Sequence, residues 1–278
     1  MAFDPDVTRA IEAKAAELGW PPKAFMAVVQ VESGGKAFAT VNGKALPLIL
    51  FEPHVFFRCL PESRRKEGRD RNLAAPRWGD IPYPLSQSAR YNQLERAKSI
   101  HEEAAYMACS WGVGQVLGEN ASWLGYPSAR NLAETAMASI EGQLELMARF
   151  IRKRGLADEL IARDWRGFAR LYNGPGQVDF YSKAMDRAYR NLGGEDVSAH
   201  EDSVVLKVGM RGEAVMALQK NLRSLGYHLT VDGDFGPATK VEVARFQASN
   251  GLVADGVAGP VTLGRVEALM GRDVVGHL

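Results

Sequence analysis

Apolar positions in this chain recur mostly every three or four residues, the period of helices, with one stretch that alternates instead. Asp4-Pro5 places a helix N-cap before a proline at the first helical position, and the helix runs to about Leu18, where Gly19-Trp20-Pro21-Pro22 breaks it. From Ala24 to Val31 the chain is apolar almost throughout, with only Gln30 polar, which predicts a buried helix. Gly34-Gly35 stops it, because glycine tolerates the left-handed C-terminal cap. Phe38 to Phe51 alternates imperfectly around Asn42-Gly43, the strongest short hairpin signal, and the second arm, LPLILFEP, leads into Glu52-Pro53.

Arg58–Arg71 holds six basic and three acidic residues and reads as a solvated face or loop. Trp78–Ser86, with Pro82 and Pro84, reads as extended or turn-like. Gln87–Cys109 reads as helix, followed by SWGVGQVLGEN. From Asn131 the positions Leu132, Ala136, Ile140, Leu144, Met147 and Ile151 mark an amphipathic helix closed by Arg152-Lys153-Arg154-Gly155. A further helix, about Asp158 to Leu171, enters the turn Tyr172-Asn173-Gly174-Pro175-Gly176, and a last one reaches Leu192.

Beyond it, residues 193–203 (GGEDVSAHEDS) are polar, acidic and aperiodic, the composition of a linker. An internal repeat follows. Asp232-Gly233-Asp234-Phe235-Gly236-Pro237-Ala238-Thr239 is echoed by Asp255-Gly256-Val257-Ala258-Gly259-Pro260-Val261-Thr262, and Leu218-Gln219 by Phe246-Gln247. Read as calcium loops, these segments have too few oxygen ligands at the required spacing. They predict a small three-helix module built from two similar halves.

Composition narrows the function classes. The chain has 278 residues, 46% hydrophobic and 24% charged, at a net charge of +1, which gives no polyanion-binding signal. No apolar run is long enough to span a bilayer, and the N-terminus has no apolar signal-peptide core. Cys59 and Cys109 make no disulfide framework, and the five histidines show no metal-ligand spacing, so no metal and no cofactor are expected.

Candidate chemistry centres on Glu32, placed on the last turn of the core helix. Apolar surroundings and the negative end of the helix dipole both disfavour its ionised form, as a general acid working near neutral pH requires. The competing reading is an ordinary surface glutamate at a helix end.

Glu32-Ser33-Gly34-Gly35, Gly112-Val113-Gly114-Gln115 and Tyr172-Asn173-Gly174 occur in that order in a helical setting. In this they resemble the lysozyme and lytic-transglycosylase superfamily. The longer strings ILFEPHVFFR, SWGVGQVLGEN, QLELMARFI, DWRGFARLYNGPG and KAMDRAYRNL resemble the N-acetylmuramidase domain of phage endolysins, over most of residues 5–192. The repeat module, from GMRGEAVMALQKNLRSLGY to GPVTLGRV, resembles the peptidoglycan-binding domain of cell-wall hydrolases.

The resemblance implies a mainly α architecture: a lysozyme-like helical catalytic domain with a small β-hairpin at 1–192, the linker at 193–203, and a three-helix peptidoglycan-binding domain at 204–278. It implies an endolysin that cleaves the β-1,4 bond between N-acetylmuramic acid and N-acetylglucosamine and lyses a bacterial host. In that role Glu32 protonates the leaving oxygen. Glu52 is the best candidate for a second carboxylate, acting as nucleophile or as base on a water; the structural alternative has it bonding a backbone N–H or pairing with Arg58. A third option needs no second carboxylate, because in a lytic transglycosylase the sugar's own C6 hydroxyl attacks. Gln115, Tyr172 and Asn173 would bind the sugar. Trp111 or Trp123 would stack on a ring, or else belong to the core. The implied partner is bacterial peptidoglycan, with no nucleic acid and no membrane, for a monomer held in the host cytoplasm until lysis and then acting on the wall. A non-catalytic wall-binding or virion structural protein is the reading from another class.

Overall fold

Asp4 accepts a hydrogen bond from the Asp6 N–H at 2.8 Å and so caps α1 (Pro5–Leu18), which ends where Gly19 takes a left-handed φ of 69°. The computed structural model describes residues 3–194, 205–250, 252 and 254–272. From residue 195 on, the expected acidic linker lies outside the described residues. α2 (Pro22–Ser33) follows, with Ala24 to Val29 all buried. Burying Phe25, Met26, Val28 and Val29 contributes roughly 1.5–3 kcal/mol each, and Trp20 meets Phe25 edge-on at 5.2 Å.

Asn42 and Gly43 have φ of 50° and 76° and make the expected tight turn between β1 (Phe38–Val41) and β2 (Lys44–Pro47), paired antiparallel. The second arm does not continue to Glu52. The chain leaves the hairpin after Pro47, and β3 (Ile49–Phe51) joins a separate three-stranded sheet in the order β3-β4-β5, with β4 at Cys109–Trp111 and β5 at Val116–Leu117. The Gln87 side chain brackets Ile49, accepting from its N–H at 3.0 Å and donating to its carbonyl at 3.2 Å. The strand signal was legible; the change of sheet at Leu48 was not, because its partner lies some sixty residues ahead.

α3 (Pro53–Cys59) and α4 (Glu62–Asp70) come next, so the basic stretch expected as a solvated face or loop is largely a surface helix. The single helix expected over Gln87–Cys109 is two, α5 (Gln87–Lys98) and α6 (Glu102–Met107), because His101 Nδ1 accepts the Ala104 N–H at 3.1 Å and starts a new helix. After α7 (Ala121–Leu124), the long amphipathic stretch is likewise split into α8 (Ala129–Ala138) and α9 (Ile140–Lys153). Ser139 between them is extended, and its hydroxyl accepts from the Gly142 N–H at 3.2 Å. Gly142 lies so close to the preceding helix that a Cβ there would be 2.0 Å from the Thr135 carbonyl. α10 (Ala157–Ala162) and α11 (Trp165–Tyr172) are separated by Arg163 at φ 59°, and α12 (Val178–Asn191) completes this part.

The chain divides into two compact units, residues 1–150 with 187–193 and residues 151–186 with 194–278. In the second, α13 (Glu213–Ser224), α14 (Pro237–Ser249) and α15 (Pro260–Arg272) enclose a core that includes Leu218, Leu222, Phe235, Val243 and Phe246. α10 packs against α15 in the same unit: a Cβ on Gly259 would lie 2.3 Å from Asp158 Oδ2, and one on Gly155 would lie 3.0 Å from Asp255 Oδ2.

The repeat has a physical centre in two buried glutamines. Gln219 Nε2 donates to Asp232 Oδ1, the Asp234 carbonyl and Thr239 Oγ1 at 2.8, 3.0 and 3.1 Å, while its oxygen accepts the Gly233 N–H at 2.8 Å. Gln247 Nε2 donates to Asp255 Oδ1, the Val257 carbonyl and Thr262 Oγ1 at 2.9, 2.8 and 3.1 Å, and its oxygen accepts the Gly256 N–H at 2.8 Å. Each amide therefore fastens an Asp-Gly turn to the helix that follows it. Gln219→Ala should strand a buried N–H and destabilise the second unit by about 1–3 kcal/mol. Chemical denaturation of the full chain checks this, and Gln247→Ala should behave alike. An unchanged midpoint would leave the turns held by backbone bonds alone.

Candidate functional site

The sequence places Glu32 where the buried part of α2 gives out. Residues 24–29 are buried, whereas Val31, Glu32 and Ser33 are half-buried, so the helix delivers its carboxylate from the core to the surface. Ser33 Oγ donates to the Val29 carbonyl at 2.8 Å, and Gly34 closes the helix at φ 64° with its N–H on the Gln30 carbonyl at 3.0 Å. Beside this end lies a cleft of about 730 Å³ bordered by Gly34–Phe38, Asp4, Asp6, Val7 and Ala138–Glu141.

Glu52 stands at the junction of β3 and α3. Its N–H donates to the Ala108 carbonyl at 2.8 Å, continuing the β3–β4 ladder by one step, and Pro53 begins the helix. Its carboxylate is neither the helix cap nor the partner of Arg58. Arg58 pairs with Glu119, whose carboxyl this hydrogen bond holds below the usual range. Tyr83 instead donates its hydroxyl to Glu52 Oε2, and His54 Nδ1 lies 3.5 Å from the same oxygen. Burial, and then the bond to Glu52, raise the Tyr83 phenol above its ordinary value, so it stays a donor. Neither Tyr83 nor His54 was singled out from the sequence. The signal available for Tyr83 was its setting between Pro82 and Pro84, which limits where that side chain can go.

The Gly-Val-Gly-Gln turn joins β4 to β5. Gly112 has φ 67°, and a Cβ there would meet the Gln143 side chain at 2.8 Å; one on Gly114 would meet Met147 at 2.7 Å. Gln143, wholly buried on α9, accepts the Val113 N–H at 3.0 Å. Gln115 itself takes the left-handed φ of 47° and donates its amide to the carbonyls of Gly112, at 2.7 Å, and Leu48, at 3.4 Å. This anchors Gln115 to the chain just before β3, while Glu52 follows the end of that strand. With about 3.3 Å per residue, the two anchor points are roughly 13 Å apart along the backbone.

Tyr172 and Asn173 belong to the second unit. Tyr172 stacks on Phe168 at 5.2 Å and 15°, and Asn173 ends α11 with its N–H on the Ala169 carbonyl at 2.9 Å. Gly174 turns the chain at φ 87°, and a cleft of about 700 Å³ in the same unit is lined by Asp164, Arg166, Arg170, Gln177 and Phe180 among others. Of the two tryptophans offered for stacking, Trp111 is wholly buried with its indole N–H on the Tyr106 carbonyl at 3.2 Å, so it belongs to the core. Trp123 remains 41% exposed, edge-on to Phe150 at 5.7 Å.

The two cysteines are free thiols. Burial, then the Glu119 charge, pushes Cys59 up to about 11, and burial raises the fully enclosed Cys109 well above its ordinary value, so neither is a ready nucleophile at neutral pH. Among the described residues no group of three or more His, Cys, Asp or Glu side chains could hold a metal, and no helix is long and apolar enough to cross a membrane.

Comparison with known proteins agrees with this architecture. A solved Burkholderia AP3 phage endolysin is similar at a TM-score of 0.57 and 27% identity, over 67% of this chain and 71% of that one. A zinc D-Ala-D-Ala carboxypeptidase of Streptomyces albus G is 47% identical over 76 residues, 26% of this chain and 29% of that protein. An N-acetylmuramoyl-L-alanine amidase of Bacillus licheniformis is 26% identical over 138 residues, 45% of this chain and 38% of that one. The chain thus spans about a third of the length of these two relatives. The peptidoglycan binding domain family matches residues 211–266. The N-acetylmuramidase family model matches residues 21–193, well over half of the chain, and the chain belongs to that family.

Proposed function

We propose that this protein is a cell-wall-degrading endolysin, a glycoside hydrolase that cleaves the β-1,4 bond between N-acetylmuramic acid and N-acetylglucosamine in bacterial peptidoglycan. The observation that carries the reading is one chain holding an N-acetylmuramidase match and a separate peptidoglycan-binding match, which name the same polymer. The phage endolysin similarity supports a role in lysis of a bacterial host. Residues 1–192 then form the catalytic part and 204–278 the wall-binding part.

Glu32 is the general acid. It protonates the glycosidic oxygen as the bond to the anomeric carbon breaks, and its place at the emerging end of a core helix supports that role. Glu52 is the second carboxylate. A hydrogen bond from Tyr83 and the nearby His54 support an ionised carboxylate acting as nucleophile at the anomeric carbon or as base on the water that attacks it. Gln115, with its NH₂ bonded to backbone, offers its oxygen to a sugar N–H. Tyr172 and Asn173, at the end of α11, have side chains suited to hydrogen-bonding a sugar, and that binding role is assigned to them.

Three outcomes test this. Glu32→Gln should lower wall cleavage by about 10²–10⁴ and leave the melting temperature in place, since the amide is nearly isosteric but carries no acidic proton. Turbidity loss of purified walls, measured beside a thermal melt, reads both; activity within about tenfold of wild type removes Glu32 from the acid role.

Digestion in ¹⁸O water should label every new reducing end, and Glu52→Gln should cut the rate by orders of magnitude. Unlabelled 1,6-anhydro ends from the wild type would make the enzyme a lytic transglycosylase. Labelled ends from a fully active Glu52→Gln would transfer the second role to Asp80, Glu102 or Glu103.

Removal of residues 204–278 should weaken sedimentation with insoluble walls while cleavage of short soluble glycan persists, because the second attachment acts through effective concentration. Since the truncation also uncovers α10, the shortened chain's melt is read first. Equal wall binding with and without the segment contradicts the wall-binding assignment.

A further inference from the structure

Resting on the reading of Glu52 as the second carboxylate, we propose that Tyr83 is a positioning residue that fixes which oxygen of Glu52 meets the substrate, and that Arg90 holds Tyr83 in place for this. A glutamate side chain turns about several bonds, so a carboxylate at the end of a strand has no set direction unless something holds it. Tyr83 holds it by donating its hydroxyl to Oε2. His54 Nδ1 comes within 3.5 Å of that same oxygen. Both approaches fall on Oε2, which turns Oε1 over to the anomeric carbon or to the attacking water.

Tyr83 can direct Glu52 only if it is itself held, and α5 does this. Arg90 donates from Nε to the Pro84 carbonyl at 2.9 Å and from Nη1 to the Ile49 carbonyl at 3.1 Å. Pro84 is the residue after Tyr83, and Ile49 begins the strand that Glu52 follows. Gln87, one turn earlier on the same helix, grips both backbone groups of Ile49. Ile49 and Phe51 are wholly buried, so β3 has no play of its own. The result is a closed frame that runs from Tyr83 through Pro84, the Arg90 guanidinium and β3 to the Glu52 carboxylate, and back to the Tyr83 hydroxyl. Pro82 and Pro84 restrict the backbone on either side of Tyr83.

A guanidinium suits the corner of this frame, because its planar fork sends donors at fixed angles to two acceptors at once, which an ammonium on a flexible stem does not. A carboxylate set in advance also costs no reorganisation when the sugar arrives. The titratable groups that face Glu52 are Tyr83, His54 beside it on α3 and, across the β3–β4 ladder, Cys109, the partner of Phe51. Arg58 of α3 is taken by Glu119.

The test uses the full chain. Tyr83→Phe removes one hydroxyl and keeps the ring. Its kcat on soluble glycan should fall about ten- to a hundredfold, with KM changed less than about twofold. A carboxylate that loses a bond to its charged form takes up its proton at higher pH, so the acid limb of the rate profile should move up. Arg90→Lys keeps a charge and loses the fork, and should lower kcat in the same way. Joined to Tyr83→Phe it should add little, since both act through one bond. Glutamate labelled with ¹³C at the carboxyl reads Glu52 directly, its resonance identified by Glu52→Gln, and its titration midpoint should move up in both variants. Wild-type kcat, acid limb and Glu52 titration in a Tyr83→Phe chain that melts normally overturn the proposal. A raised KM at unchanged kcat overturns it too, by making Tyr83 a substrate contact, and full additivity of the two substitutions removes Arg90 from the frame. A wild type that cleaves no wall overturns the muramidase reading instead, and the Glu52 titration still decides whether Tyr83 directs that carboxylate.

Discussion

Six consecutive buried residues, Ala24–Val29, hold α2 in one position and one rotation, since a helix packed on every side can neither slide nor turn without opening voids. That constraint fixes where its last turn emerges. Glu32 inherits its direction from these buried residues of its own helix, and the left-handed Gly34 ends the helix one residue beyond Ser33. The β1–β2 hairpin, the crossing into the second sheet and the ladder step at Glu52 come after that exit in the chain. A single insertion in α2 before Glu32 would rotate that carboxylate by about 100°.

Around this helix the sequence was legible wherever a feature is local. The start of α1 at Asp4-Pro5, the stop at Gly19, the Asn42-Gly43 turn and the glycines after Glu32 each depend on a few adjacent residues, and each is found in place. The three C-terminal helices were visible because the repeat displays their turns twice. What stayed hidden depends on distant partners. β3 needs β4, sixty residues on, to become a strand of another sheet, and its seven-residue neighbourhood reads equally well as the end of a hairpin. His101 as a helix cap looks like any exposed histidine until the Ala104 N–H is seen to reach it.

The candidate site divides in the same way. Motifs nominate Glu32, Glu52 and Gln115, whereas nothing comparable marks what surrounds them. Tyr83 and His54 reach Glu52 through the fold, Gln143 supports the Gly112–Gly114 turn from α9, and apart from the prolines on either side of Tyr83 nothing in their local sequence sets them apart from ordinary tyrosine, histidine and glutamine. Aromatic residues were the hardest to sort, since the same indole serves as core filler or as exposed surface. Trp111, flanked by serine and glycine, is the interior one, and Trp78, amid charged and turn-forming residues, faces solvent.

The packing of α10 on α15 bears on how such chains recombine. Modular hydrolases are commonly pictured as interchangeable beads joined by tethers, with the cut placed in the tether. Here a side chain at Gly259 would run into Asp158, with its Cβ 2.3 Å from the carboxylate, and Gly155 lies against Asp255 at a left-handed φ of 68°. A foreign module grafted at the acidic stretch would bring its own surface to α10 and meet a mismatched seat. Transplants that carry α10 to α12 together with the C-terminal helices keep that seat intact, so the natural unit of exchange is larger than the repeat that sequence similarity outlines.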